Sequence, residues 1–264
     1  MTFNLRGSLY HLGNSESMAS LYMSETSSTH SLPMRYADFP TLVEALDYAA
    51  EGNTGMNFYD RRNQLTAVLE YRLLKHRAMA GARRLLSLNL HKGDRVALIA
   101  ETNVGFVEAF FACQYAGLVA VPLAIPMGVG QRDSYISKLH GLLANCQPAA
   151  VISSEEWLPL IHSATADAPG LHILSNAGLE SLPEKETELP PPSPEDIAYL
   201  QYTSGSTRFP RGVIITHRAV MSNLQAISHD GIKLRAGDRC VSWLPFYHDM
   251  GSVSYTHLTL PTKA

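Results

Sequence analysis

Apolar residues in this chain fall into two rhythms, and their alternation predicts the architecture. FPTLVEALDYAAEG sets Leu42, Val43, Leu46, Ala49 and Ala50 at turn spacing, with Thr41 and Glu44 at the interval of a capping box, which predicts a helix. MNFYD and LTAVLEY have the apolar and aromatic character of short strands. RLLKHRAMAGARRLLSLNL returns to helical spacing through Leu73, Leu74, Ala78, Ala82, Leu85 and Leu86. Beyond it the patterns alternate: strand DRVALIA, a buried helix VGFVEAFFACQYAG closed by Gly117, strand LVAVPLA, helix RDSYISKLHGLLANC, strand PAAVISS, helix EEWLPLIHSA and strand LHILS. Apolar, β-branched strands alternating with helices predict an α/β fold in which mainly parallel sheets are flanked by helices on both faces.

LESLPEKETELPPPSPED is Pro-rich and acidic and reads as an exposed connector. After it come strand IAYLQYT, a polar loop, strand GVIITH, helix RAVMSNLQAISH and strand DRCVSWLPF. Residues 1–33 are rich in Ser, Thr and Asn without periodicity, so they are expected to form a flexible tail, with Met18, Met23 and Met34 as alternative starts.

Composition narrows the function classes. With 264 residues and 45% apolar content the chain can bury a substantial core. Twenty-one Lys and Arg against 24 Asp and Glu leave a formal charge of -3, which argues against a nucleic-acid partner; any anion site must be local. Cys113, Cys146 and Cys240 are odd in number and widely spaced, without a metal-ligand or disulfide pattern, and a reducing cytoplasm is the expected home. No apolar stretch approaches the length of a membrane span, so no stable membrane insertion is expected.

The chemistry concentrates in YTSGSTRFPRG, Tyr202 to Gly212. Thr203, Ser204, Ser206 and Thr207 offer hydroxyls, Gly205 permits close backbone approach, and Arg208 and Arg211 add cationic donors. A Ser/Gly-rich surface turn has much the same composition. This loop follows an apolar strand, however, and Pro210 with Gly212 restrains the chain just before another strand, which favours a polyphosphate cradle of backbone N–H groups and guanidinium donors. It is not a Walker A loop, and GVGQRD at Gly128 does not complete a dinucleotide fingerprint.

YTSGSTRFPRGVIITH resembles the phosphate-binding signature of the adenylate-forming superfamily: acyl- and aryl-CoA synthetases, peptide-synthetase adenylation domains and luciferases. Arg208 stands where the usual form has Gly, and Arg211 where it has Lys. Together with RYADFPTLVEAL and ALIAETNVGFVEAFFACQYAGLVAVPL, this resembles the fatty-acyl-AMP ligase branch more than the CoA-ligase branch. SWLPFYHDMG is similar to the family segment beside the acyl pocket and ATP, with His248 at the position of its gate residue; Asp249 either orients His248 or caps a turn.

The resemblance implies the N-terminal part of the adenylate-forming ligase fold, incomplete, with a partial AMP-binding domain over 34–251. It also implies a reaction in which a fatty-acid carboxylate attacks the α-phosphorus of ATP, pyrophosphate leaves and an acyl-adenylate forms. Thr203, Ser204, Gly205, Ser206, Thr207, Arg208, Arg211 and Gly212 would hold the nucleotide and His248 would serve catalysis. Mg²⁺ would share the phosphate charge, with no metal ligand assigned in this chain. The acyl group would pass to the phosphopantetheine of an acyl carrier protein, as in polyketide or lipopeptide assembly; CoA as acceptor, in a long-chain acyl-CoA synthetase, and a non-catalytic nucleotide- or acyl-binding module are the alternatives.

The end of the chain reads differently. SYTHLTL alternates like a half-buried strand, but VSYTHLTLPT is also what an open frame yields from a stretch resembling a transposase adapter of short-read sequencing libraries. Residues 252–264 are therefore expected to be adapter-derived, and the 264-residue product to be a fragment inactive by itself.

Overall fold

The computed structural model describes residues 32–125, 132–202 and 211–245. Almost all of the expected N-terminal tail and the whole of 252–264 lie outside them. In chain order the elements are α1 Leu42–Ala49, β1 Gly55–Tyr59, β2 Leu65–Glu70, α2 Tyr71–Ser87, β3 Arg95–Ile99, α3 Val104–Ala116, β4 Val119–Leu123, α4 Arg132–Cys146, β5 Ala150–Ser153, α5 Leu158–Ala164, β6 His172–Ser175, α6 Asn176–Glu180, β7 Ile197–Tyr202, β8 Gly212–Thr216 and α7 His217–Gln225.

Six strands form one sheet in the order β6-β5-β3-β4-β7-β8, and β1 pairs with β2 in a separate antiparallel hairpin. The first five strands of the larger sheet are parallel and β8 is antiparallel to β7. This is the mainly parallel α/β arrangement that the strand–helix alternation predicts. Side-chain alternation divides the core: Val96 and Leu98 of β3 face one apolar layer, Ala97 and Ile99 the other. The first layer is built from α1, α2, α3, α6 and α7, the second from α4 and α5.

Local chemistry sets the helix ends. Thr41 accepts from the Glu44 N–H while the Glu44 carboxylate accepts from the Thr41 N–H, so the capping box at α1 is complete. Asn103 caps α3 at its start, and Gly117 ends it at φ 68, the left-handed conformation that a residue without Cβ adopts at least cost. From Phe106 to Ala116, α3 is buried on nearly every side, between α2 and the sheet. Its fully buried amide there, Gln114, donates through Nε2 to Phe110 O and to Ala198 O of β7, tying helix to strand.

Three features depart from the sequence pattern. Glu155–Trp157 forms a 3₁₀ turn ahead of α5, and α6 is a short helix at the edge of the expected connector, capped by Ser175. The connector itself has no regular structure from Pro183 to Pro194, yet it is anchored: Glu184 pairs with Arg84, and the Lys185 N–H donates to Arg83 O. DRCVSWLPF does not form a strand over its described residues 238–245; Val241 and Trp243 are 86% and 88% exposed. Alternation alone does not make a strand, because the backbone groups need a neighbouring strand to bond with.

Candidate functional site

The site is built around the turn from β7 into β8. The chain leaves the sheet at Tyr202, the carboxyl end of a strand parallel to β4, and re-enters at Gly212, which is the register partner of Tyr202. Carboxyl ends of parallel strands are where open α/β sheets place their ligand loops. Arg211 and Gly212 stand at this position; Arg211 is exposed and has no ion-pair partner among the described residues. Thr203, Ser204, Gly205, Ser206, Thr207 and Arg208, like His248 and Asp249, lie outside the described residues.

The base of the turn is a packed arrangement that local pattern does not reveal. A Cβ on Gly212 would come within 3.3 Å of the Tyr202 ring, so the ring occupies the space a side chain would need. The Tyr202 hydroxyl donates to Asn145 Oδ1 in the last turn of α4, and Cys146 lies beside it. Burial, followed by the neighbouring Cys146 thiol, pushes the Tyr202 phenol up to about 12, so it remains a protonated donor at neutral pH. Sequence reading sets Tyr202 at the start of the loop without giving it a role and has no signal for Asn145.

Next to β7, the N-terminus of α7 is fastened to that of α1. His217 is 3% exposed, and its Nδ1 accepts from the Leu42 N–H at 3.2 Å. Burial pushes its imidazole down to about 4, against the opposing pull of the Asp196 carboxylate, which is paired with Lys92 at 2.7 Å.

Two concavities lie elsewhere. A small one of about 10 Å³ sits at the carboxyl ends of β3 and β5, lined by Glu101, Asn103, Ser153, Ser154 and Asn176. There β3 leads to a helix on one face and β5 to a helix on the other, which makes it a switch point of the sheet. Burial and then the adjacent Glu101 raise the Glu156 carboxyl above its ordinary value. The larger, of about 470 Å³, runs along the ends of α4 and α5 past His140, Leu143, Thr165, Asp167 and Leu171. It has no Arg or Lys in its lining and is unsuited to a triphosphate. Among the described residues no group of three or more His, Cys, Asp and Glu is placed to hold a metal, and no helix is long and apolar enough to cross a membrane.

Residues 50–260 match the model of the AMP-binding enzyme family. The chain belongs to that family. A Caulobacter vibrioides protein with the provisional name acyl-CoA synthetase is 44% identical over 242 residues, 90% of this chain and 41% of its own length. Long-chain-fatty-acid–AMP ligase FadD32 of Mycolicibacterium smegmatis is 34% identical over 203 residues, 75% of this chain and 31% of its own. A solved structure from the fatty acyl-adenylate ligases of E. coli and L. pneumophila superposes with a TM-score of 0.85 at 72% identity, covering 88% of this chain and 42% of that one. The fold is thus that of the adenylate-forming ligases, and the chain spans about two fifths or less of the length of these relatives.

Proposed function

We propose that this chain contributes the nucleotide-binding part of an enzyme that activates a fatty acid to its acyl-adenylate with release of pyrophosphate. The observation that carries the reading is the β7–β8 connection: a hydroxyl-rich segment containing Gly205, with Arg211 at its exit, at the carboxyl end of a parallel strand in an AMP-binding enzyme chain. Bringing a carboxylate to a triphosphate crowds anions together, so neutralisation and positioning are what such a site must supply. Thr203 to Thr207 would contact the β- and γ-phosphates through backbone N–H and hydroxyl groups, with Arg208 and Arg211 meeting their charge. His248 would border the acyl group. Mg²⁺ would arrive on the phosphates of ATP and share their charge.

The 72% identity to a fatty acyl-adenylate ligase and the Arg208 substitution favour the AMP-ligase branch, with an acyl carrier protein as acceptor. The Caulobacter relative's name supports CoA as the second possibility. Protein expressed from its own locus would be given ATP, a long-chain fatty acid and hydroxylamine. Acyl-hydroxamate with stoichiometric pyrophosphate supports the reading, and ADP with phosphate overturns it. Offering CoA and a holo carrier protein side by side then separates the two acceptors.

A further inference from the structure

The larger concavity, along the ends of α4 and α5, has no part in the nucleotide chemistry above, yet its volume of about 470 Å³ is that of a small-molecule site, roughly 300–1,000 Å³. Leu143 of α4 and Ala164 of α5, both buried, form apolar walls with Pro148 and Leu171. Apart from the Gln147 amide, which both donates and accepts, the polar side chains of the lining are acceptors. His140 Nδ1 lies 3.0 Å from Ala164 O; a carbonyl only accepts, so Nδ1 carries the hydrogen and Nε2 of the neutral ring is left as an acceptor. The Thr165 hydroxyl donates to Ile161 O and keeps its lone pairs. Asp167 is exposed and has no ion-pair partner among the described residues. The rims are fixed in advance. Arg95 donates through Nε to Cys146 O and through Nη2 to Gln147 O, and the Gln147 N–H donates to Leu143 O, which holds Gln147 at φ 45, a conformation unfavourable for a residue with a Cβ. On the other side the Ala168 N–H closes a turn onto Thr165 O.

We propose that this concavity is a binding site for a small organic ammonium: an apolar body carrying a protonated amine, with the Asp167 carboxylate meeting the charge and the apolar walls taking the body. A carboxylate or phosphate of the same size would meet acceptors where it needs donors, because no Lys or Arg lies in the lining. Rims already held by backbone hydrogen bonds leave little to be ordered when the ligand enters. None of the lining residues takes part in the acyl-adenylate reading, so the site is independent of it.

The probe is 2-phenylethylamine, titrated at pH 8 by ligand-detected NMR into protein expressed from its own locus, with 2-phenylethanol and 3-phenylpropionate as neutral and anionic controls of similar shape. Saturable binding of the amine is expected, with a dissociation constant of about 1 mM or tighter. Asp167→Asn should weaken it about fivefold, the modest effect of one exposed charge pair, and the alcohol should bind wild type more weakly than the amine by a similar factor. Ala144 lines the concavity from an exposed position on α4, so Ala144→Phe should fill the space and abolish binding. Asp167→Lys should reverse the preference, losing the amine and binding 3-phenylpropionate more tightly than wild type does. Asp167 is exposed, so its two variants keep the test open if Ala144→Phe misfolds. Absence of amine binding overturns the proposal, as does amine binding that Asp167→Asn leaves unchanged or an alcohol that binds wild type as tightly as the amine. Pyrophosphate release by the wild-type protein alters none of these outcomes, so this site and the acyl-adenylate reading fail separately.

Discussion

Replacing His217 by Asn should remove a specific part of the acid sensitivity of this fold. Leu42 is the first residue of α1, and its N–H has no partner within the helix. His217 Nδ1 supplies that partner from the start of α7, in a place where the imidazole is almost wholly buried. Protonation would put a charge into that buried site, remove the acceptor, and set the charge against the positive end of α1. The folded protein therefore takes up the proton only near pH 4, the unfolded chain near the ordinary value of 6.5. Stability from this group is complete above pH 6.5, falls as the pH drops from there, and levels off below 4. The difference between those values corresponds to about 3 kcal/mol, lost at roughly 1.4 kcal/mol per pH unit. Asp196 and Lys92, the charged groups that face His217, remain in the variant, and Asn retains an acceptor without titrating. Urea unfolding at pH 7.5, 6.5, 5.5 and 4.5 would measure the effect: wild type and His217→Asn should be close at 7.5, with wild type losing stability faster below 6.5. Parallel pH profiles for the two proteins would refute this reasoning.

Three further outcomes follow from the packing and the turn. Phe111 is 2% exposed between α2 and the sheet, so Phe111→Ala should lower the unfolding free energy by about 3–5 kcal/mol in the same denaturant assay. A Cβ on Gly55 would lie 2.3 Å from the Leu69 carbonyl oxygen, so Gly55→Ala should force the β1–β2 hairpin apart, seen as faster amide exchange in both strands with α4 unaffected. Arg211→Ala should weaken ATP binding by about tenfold, the loss of one charge-assisted contact, while far-ultraviolet circular dichroism stays unchanged because Arg211 is exposed at the strand entry.

Much of the architecture was legible because it is written in local periodicity. RDSYISKLHGLLANC marks the observed bounds of α4, and Gly117 ends α3 where a left-handed residue is needed. The capping box at Thr41 and Glu44 is formed as its spacing implies. What was not legible depends on contacts between distant residues. DRCVSWLPF has a strand's pattern but no strand beside it over the described residues. The Tyr202–Asn145 hydrogen bond and the His217 acceptor for Leu42 join residues 57 and 175 apart, and nothing in a local pattern encodes either meeting. Of the residues expected to bind nucleotide, Arg211 and Gly212 are at the base of the turn, and the structural reason for Gly212 is the ring beside it as much as any phosphate.

The acyl-adenylate itself is the most direct test. Protein expressed from its own locus, incubated with a long-chain fatty acid, Mg²⁺ and ATP labelled at the α-phosphate, is analysed by mass spectrometry after acid quench. The account predicts a species with the mass of the fatty acid joined to labelled AMP, formed together with pyrophosphate and diminished by Arg211→Ala. Fatty-acid-independent hydrolysis to ADP, or an adenylate whose yield is indifferent to Arg211, would contradict it.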